Sequence, residues 1–216
     1  MVLLSQIQLG TGNYKEQGYN NIMKLYEIPT HERSPQVVNA VVEIPKGSSN
    51  KYEYDPVYDQ FVLDRALMSA MVYPANYGFI SNTLADDGDA LDILVCSSTP
   101  IDKGTIVPTR VIGALHMIDN GEVDYKLVGV PIRSYSKQHI GELDDFDPLF
   151  LEVVENFFQH YKELEGKKVE LKGWIDREET FKIVEESVVD KPKEVKPTIH
   201  WTKAGWNTSG ITASDR

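Results

Sequence analysis

Between residues 37 and 130 the chain alternates short β-branched or apolar segments with turns that contain glycine, and this pattern limits the folds it can adopt. Asn120-Gly121 and Asp87-Gly88 are two of these turn signals. Many short strands separated in this way favour a small barrel or sandwich. The predicted strands span residues 37–44, 51–54, 61–63, 91–95, 106–115 and 125–130.

Two helices are predicted after the strands. From Pro148 the apolar residues recur at helical spacing as far as Leu164, and Gly166 is placed to end the helix. A second helix is predicted to begin near Asp176, because Glu179 three residues later forms a variant of the capping box. Strands followed by helices indicate an α+β domain.

The charge of the chain argues against nucleic acid as its partner. The sequence contains 33 acidic and 22 basic residues, a net charge of −11, whereas binding to a phosphate backbone needs a basic surface. Residues 41–130 contain thirteen acidic and six basic residues, so −7 of this charge lies there. An excess of carboxylates is also what a protein needs to bind divalent cations.

The sequence also predicts a cytoplasmic protein without a membrane span. No apolar stretch approaches the ~18 residues that a spanning helix requires. The apolar start of the chain ends by Ser5, which is too early for a signal peptide. Cys96 is the single cysteine and lies in an apolar run, which favours a core thiol over a nucleophile.

Four aspartates lie within residues 86–92, namely Asp86, Asp87, Asp89 and Asp92. They lead directly into an apolar strand, so bulk water cannot easily surround them all, and their mutual repulsion requires cations. A solvated acidic turn is the alternative. A calcium loop does not fit, because Leu94 takes the place of the essential glutamate. Oxygen ligands alone point to magnesium or manganese.

Further polar groups lie on both sides of this cluster. Asp119 and Asp124 flank the Asn120-Gly121 turn, and alternation places Asp124 and Lys126 on one face of a strand. A charged hairpin tip is the alternative, and it is favoured if this feature stands alone. Tyr73 and Tyr77 bracket a short turn; their hydroxyls could reach a polar site, or they could be purely structural. Core packing alone would explain Tyr161, and Lys162 would then be solvated.

Taken together, these residues resemble the soluble family I inorganic pyrophosphatases. The matching segments follow the family order from about residue 37 to about residue 185. Ala90 is a departure, since the family usually has Pro or Glu there, but this position provides no metal-binding atom. The matches are Glu43 within Val-Val-Glu-Ile-Pro, Lys51-Tyr-Glu53, Asp64-Arg65, Tyr73-Pro-Ala-Asn-Tyr77-Gly, Asp87-Gly-Asp89-Ala-Leu-Asp92, Asp119 and Asp124 with Lys126, and Tyr161-Lys162.

The resemblance implies a five-stranded OB-like β-barrel with flanking C-terminal helices. Residues 37–189 would form the catalytic domain, between an N-terminal extension at 1–36 and a C-terminal extension at 190–216. The implied activity is magnesium-dependent hydrolysis of inorganic pyrophosphate to two phosphates. A metal-activated hydroxide would attack directly and in line, without a covalent intermediate.

The resemblance also implies roles for most of the matching residues. Asp89 would be the general base, and Asp87, Asp92, Asp119 and Asp124 would bind the metal ions. Glu43 and Glu53 would bind a further metal ion or orient its waters, and Tyr73 would line the site. Several Mg²⁺ ions would bind, with Mn²⁺ or Zn²⁺ as substitutes, in a homo-oligomer for which a hexamer is favoured over a dimer. The phosphate-binding residues would be Lys51, Arg65, Tyr77, Lys126, Tyr161 and Lys162.

Two other functions compete with this interpretation. A metal-dependent phosphohydrolase or phosphotransferase could act on a larger phosphate ester or nucleotide, although the sequence contains no Walker loop or Gly-x-Gly-x-x-Gly motif. A non-catalytic OB-like module could bind nucleic acid or a protein, but the acidic middle of the chain disfavours nucleic acid. Phosphate release from pyrophosphate separates both from the main hypothesis.

Overall fold

A computed structural model describes residues 23–189 of the 216-residue chain. Within this range it has eight β-strands and two α-helices. The helices are α1, Pro148–His160, and α2, Arg177–Ser187. The strands are β1 Val37–Ile44, β2 Asn50–Asp55, β3 Gln60–Ala66, β4 Asn76–Ile80, β5 Asp92–Val95, β6 Ile106–Asp119, β7 Glu122–Pro131 and β8 Val169–Ile175.

Five of the strands form a closed ring in the order β1-β4-β5-β7-β6, because β1 also pairs with β6. Neighbours in the ring are antiparallel except β5 and β7, which run parallel. Strand β8 extends the sheet beyond β6, and β2 with β3 forms a separate hairpin. This architecture confirms the predicted α+β class and the OB-like barrel with C-terminal helices.

The helices begin where the sequence predicts. Asp147 accepts a hydrogen bond from the Leu149 backbone N–H at the start of α1, and Asp176 accepts one from Glu179 at the start of α2. Helix α1 is shorter than predicted: it ends at His160, and a 3₁₀ turn at Glu163–Glu165 follows. Gly166 adopts a left-handed conformation with φ +72° after that turn.

Alternate side chains of the barrel strands pack into two hydrophobic clusters. One lies beneath α1 and includes Phe157 and Phe158, and the other includes Val184 of α2. A smaller cluster with Tyr54 and Phe79 joins the β2–β3 hairpin to the barrel. Cys96 is buried, as predicted, and burial raises the pKa of its thiol to about 12.

Part of the predicted N-terminal extension packs against the barrel. The ring of Tyr26 lies 4.4 Å from that of Phe79, and Thr30 is buried and donates a hydrogen bond to the carbonyl of Ser81. The predicted extension at 190–216 and residues 1–22 lie outside the described residues. Between residues 23 and 189, no helix has the length and apolarity needed to span a membrane.

Candidate functional site

The four clustered aspartates lie on the loop between β4 and β5 and at the first residue of β5. The loop is tightened by the Gly88 N–H, which donates to the carbonyl of Ala85. Asp87 accepts a hydrogen bond from the backbone N–H of Asp89 at 3.0 Å. Partial burial is the main cause that raises the pKa of Asp89 to about 6, and repulsion from Asp87 and Asp92 adds to it. Additional positive charge at this loop would therefore favour its ionised form.

The second acidic group lies at the hairpin that joins β6 to β7. Asn120 and Gly121 have φ angles of 52° and 91°, the left-handed values that a two-residue hairpin turn requires. The turn places Asp119 at the end of β6 and Asp124 on β7. Desolvation is the main cause that raises the pKa of Asp124; Lys126 opposes this shift, whereas Asp92 adds to it.

Lys126 is the buried cation at the centre of these carboxylates. Its ammonium group donates to Asp92, lies 2.7 Å from Asp124 and lies 3.3 Å from the Tyr77 hydroxyl. The parallel register of β5 and β7 pairs Asp92 with Lys126. Burial works against the charge of Lys126, but Asp92 and Asp124 outweigh this effect and raise its pKa. The predicted placement of Asp124 and Lys126 on one strand face is confirmed.

Lys162 and Asp119 form a second ion pair at this end of the barrel. The Oδ1 atom of Asp119 is buried and has no hydrogen-bond partner. A buried carboxylate oxygen without a partner is unfavourable, and a divalent cation is one ligand that would satisfy it. Across residues 23–189, no three His, Cys, Asp or Glu side chains are grouped to hold a metal ion in this arrangement. Carboxylate oxygens are nevertheless the donors that hard divalent metal ions prefer. In this arrangement lysines pair with three of the carboxylates, Asp92, Asp119 and Asp124.

The β2–β3 hairpin provides a third group of charged residues. Lys51 and Arg65 are register partners across the hairpin, and Lys51 bonds to Glu53 and lies 3.5 Å from Asp64. Burial works against the charge of Lys51, but Glu53 and then Asp64 outweigh it and raise its pKa. The hairpin therefore presents cations and carboxylates side by side.

Glu43 on β1 is a buried carboxylate that holds the hairpin to the barrel. It accepts a hydrogen bond of 2.7 Å from the backbone N–H of Tyr54. Desolvation raises its pKa from 4.5 to about 8; the Tyr54 hydrogen bond opposes this shift, and Asp92 and Glu53 add to it. The charges of Asp92 in the aspartate cluster and Glu53 on the β2–β3 hairpin therefore both act on Glu43.

Tyr73, Tyr77 and Tyr161 are buried around the rings of α1. The rings of Tyr73 and Phe157 are 4.8 Å apart, and those of Tyr161 and Phe157 are 5.1 Å apart. Desolvation is the main cause that raises the pKa of all three phenols, so they remain protonated donors at neutral pH. All three rings belong to the core, and the Tyr77 hydroxyl lies 3.3 Å from the Lys126 ammonium group, so for Tyr77 the structural and polar interpretations hold together.

A cavity of ≈ 200 Å³ opens between the aspartate loop and α2. Asp87, Asp92 and Asp124 line one side of it, and Ile183 and Glu186 of α2 line the other. The predicted site residues thus lie around one end of the barrel, on the aspartate loop, the β6–β7 hairpin, the β2–β3 hairpin and the end of α1.

Sequence reasoning assigned no role to two carboxylates, Asp64 and Glu165, that contact Arg65. Asp64 adjoins Arg65 in the sequence, so proximity could have indicated its contact. Glu165 is 100 residues away from Arg65, and no local pattern points to it.

Comparison with known proteins assigns the chain to a family. A family model described as inorganic pyrophosphatase matches residues 40–191. An inorganic pyrophosphatase from Halalkalibacterium halodurans is 47% identical over 152 residues, covering 70% of this chain and 93% of the relative. One from Geobacillus stearothermophilus is 44% identical over 153 residues, covering 71% and 93%.

Solved structures agree in fold and in family. The crystal structure of inorganic pyrophosphatase from Thermus thermophilus superposes with a TM-score of 0.75 at 40% identity, covering 76% of this chain and 97% of that one. The overall fold, the aspartate-rich end of the barrel and these matches all support the same family assignment. The chain belongs to the family I inorganic pyrophosphatases, which are hydrolases that act on pyrophosphate.

Proposed function

We propose that this protein hydrolyses inorganic pyrophosphate to two phosphates in a magnesium-dependent reaction, as a cytoplasmic homo-oligomer, with a hexamer favoured over a dimer. The observation that carries the magnesium dependence is the convergence of Asp92, Asp119 and Asp124 with two lysines at one end of the barrel, where the Asp119 Oδ1 atom is buried without a partner. Partly buried carboxylates in excess of the lysines that pair with them are typical of divalent metal sites.

Asp87, Asp92, Asp119 and Asp124 would hold the metal ions. Glu43 and Glu53 would bind a further ion or orient its waters. When bound, magnesium neutralises phosphate charge and lowers the pKa of water; Mn²⁺ or Zn²⁺ could substitute for it. The donor set supports this assignment because every ligand is a carboxylate oxygen.

The chain's own residues would then bind the substrate and move one proton. Lys51, Arg65, Lys126 and Lys162 offset the negative charge of the two phosphates, and Tyr77 and Tyr161 donate hydrogen bonds to them. Tyr73 lines the site. Asp89 accepts the proton of the attacking water, the new P–O bond forms in line with the bridging oxygen, and the P–O–P linkage breaks.

The test is phosphate release from pyrophosphate with and without magnesium. ATP and a simple phosphomonoester are assayed separately as alternative substrates. We expect magnesium-dependent release from pyrophosphate and much slower turnover of the other two. Intact-mass measurement of enzyme quenched in acid during turnover should reveal no phosphorylated protein, because the attack is direct. Comparable turnover of the esters would favour a broader phosphohydrolase, and no release at all would favour a binding module.

A further inference from the structure

Arg65 occupies an unusual position in the site, because two carboxylates hold its guanidinium group and one nitrogen is left over. Its Nε donates to Glu165 at 2.9 Å and its Nη1 donates to Asp64. The remaining nitrogen, Nη2, is buried and has no hydrogen-bond partner among the described residues. A buried guanidinium donor without a partner costs stability, so it marks a position where a ligand atom would fit.

Glu165 is well placed to fix the direction of that free nitrogen. The guanidinium group is flat and rigid, so anchoring Nε and Nη1 also sets where Nη2 points. Only 9% of the Glu165 side chain is exposed, compared with 70% for Glu163 in the same turn. A buried carboxylate holds its partner more firmly than one surrounded by water.

The contact also joins two separate parts of the site. Arg65 is on β3 of the hairpin, whereas Glu165 ends the 3₁₀ turn that directly follows Tyr161 and Lys162. It is the only ion pair between the hairpin and this turn within the described residues. Two groups of proposed phosphate-binding residues are therefore held at a fixed separation through Glu165.

We infer that Glu165 is a positioning residue for pyrophosphate binding: it orients Arg65 so that Nη2 faces a phosphate oxygen of the substrate. This inference rests on the phosphate-binding role proposed for Arg65. The negative charge of Glu165 by itself would repel the substrate, so the contribution must come from geometry. It follows that a neutral side chain with an acceptor oxygen in the same place should preserve the orientation of Arg65.

The experiment compares steady-state kinetics with pyrophosphate and magnesium in five variants of the full chain. Glu165→Ala should lower kcat/KM by about 10-fold or more, chiefly through a higher KM, which is the scale of one hydrogen bond to a charged group. Glu165→Gln keeps an oxygen for the Nε donor and should stay within about 3-fold of the parent. Glu163→Ala, in the same turn but exposed, should leave the kinetics unchanged.

The last two variants, Arg65→Ala alone and Arg65→Ala combined with Glu165→Ala, distinguish positioning from general damage to the fold. In an Arg65→Ala background, adding Glu165→Ala should cause no further loss, because Glu165 acts through Arg65. An equal loss in both backgrounds, or an unchanged kcat/KM in Glu165→Ala alone, would overturn the inference. If Arg65→Ala itself leaves KM unchanged, the phosphate-binding role proposed for Arg65 fails, and the inference fails with it.

Discussion

No cation pairs with Asp89 within the described residues, whereas Asp92 at the start of β5 pairs with Lys126. The Asp89 pKa of about 6 arises from partial burial and from the charges of Asp87 and Asp92. Metal ions bound to those two carboxylates would remove the repulsion and lower the pKa of Asp89. The carboxylate would then be ionised at neutral pH, as a general base must be.

We therefore predict that Asp89→Asn lowers kcat by roughly 100-fold or more while the protein remains folded, since the amide cannot accept the proton. The measurement is steady-state phosphate release together with circular dichroism. Asp86→Asn is the matched control, because Asp86 is exposed in the same loop and has no assigned role. Near-parental activity of Asp89→Asn would mean that another group accepts the proton.

Most residues of the candidate site were named from the family resemblance, because their local patterns left structural alternatives open. Alternation alone placed Asp124 and Lys126 on one face, where they lie 2.7 Å apart. The contact between Lys126 and Asp92 depends on the parallel pairing of β5 with β7, which no local pattern reveals. For the same reason Glu165, 100 residues from Arg65, received no role from the sequence.

At the scale of whole elements, the barrel was predictable but strands β4 and β8 were not. All five residues of β4 are buried, so they show no alternation, and the preceding proline resembles a turn signal. Gly78 in β4 is required by a close approach, because a Cβ there would lie 1.8 Å from the carbonyl oxygen of Val41. Strand β8 alternates in burial over its first five residues, but it lies between the two helices, in a segment for which no strand was predicted.

The link between β1 and β2 gives a prediction on pH. The pKa of Glu43 is raised to about 8 in the folded state, above its value near 4.5 in the unfolded chain. The protonated Glu43 carboxyl therefore makes its full contribution to the stability of the fold below about pH 4.5. This contribution is lost as the pH rises through 8. Each pKa unit corresponds to about 1.4 kcal/mol, so the loss is on the order of a few kcal/mol.

Glu43→Gln keeps an acceptor for the Tyr54 N–H but cannot ionise, so it should escape this loss. In urea unfolding with metal ions chelated, the parent should lose stability relative to Glu43→Gln between pH 5 and 8. Glu122→Gln, a substitution of an exposed glutamate at the β6–β7 hairpin, should follow the parent curve. Parallel curves for the parent and Glu43→Gln would show that burial does not perturb this carboxylate.

At the scale of the whole molecule, the net charge of −11 is unevenly distributed, and −7 of it lies in residues 41–130, which include the aspartate loop and the β6–β7 hairpin. Lysines neutralise part of it, yet Asp124 keeps a raised pKa and Asp119 keeps an unpartnered oxygen. Repulsion among these groups destabilises the folded chain when metal ions are absent. With divalent cations bound, the same end of the barrel would attract pyrophosphate rather than repel it.

Magnesium should therefore stabilise the fold by site binding rather than by general screening. At a free magnesium concentration of 100 Kd, the free energy of unfolding should rise by about 2.7 kcal/mol. For a chain of this size this corresponds to roughly 5–10 °C in Tm. Thermal unfolding at fixed protein concentration measures it, with potassium chloride at matched ionic strength as the reference. Asp119→Asn should lose much of the magnesium effect, whereas Asp102→Asn, at an exposed position, should keep it. Equal shifts with both salts would show that screening alone is responsible and would contradict a metal site at these aspartates.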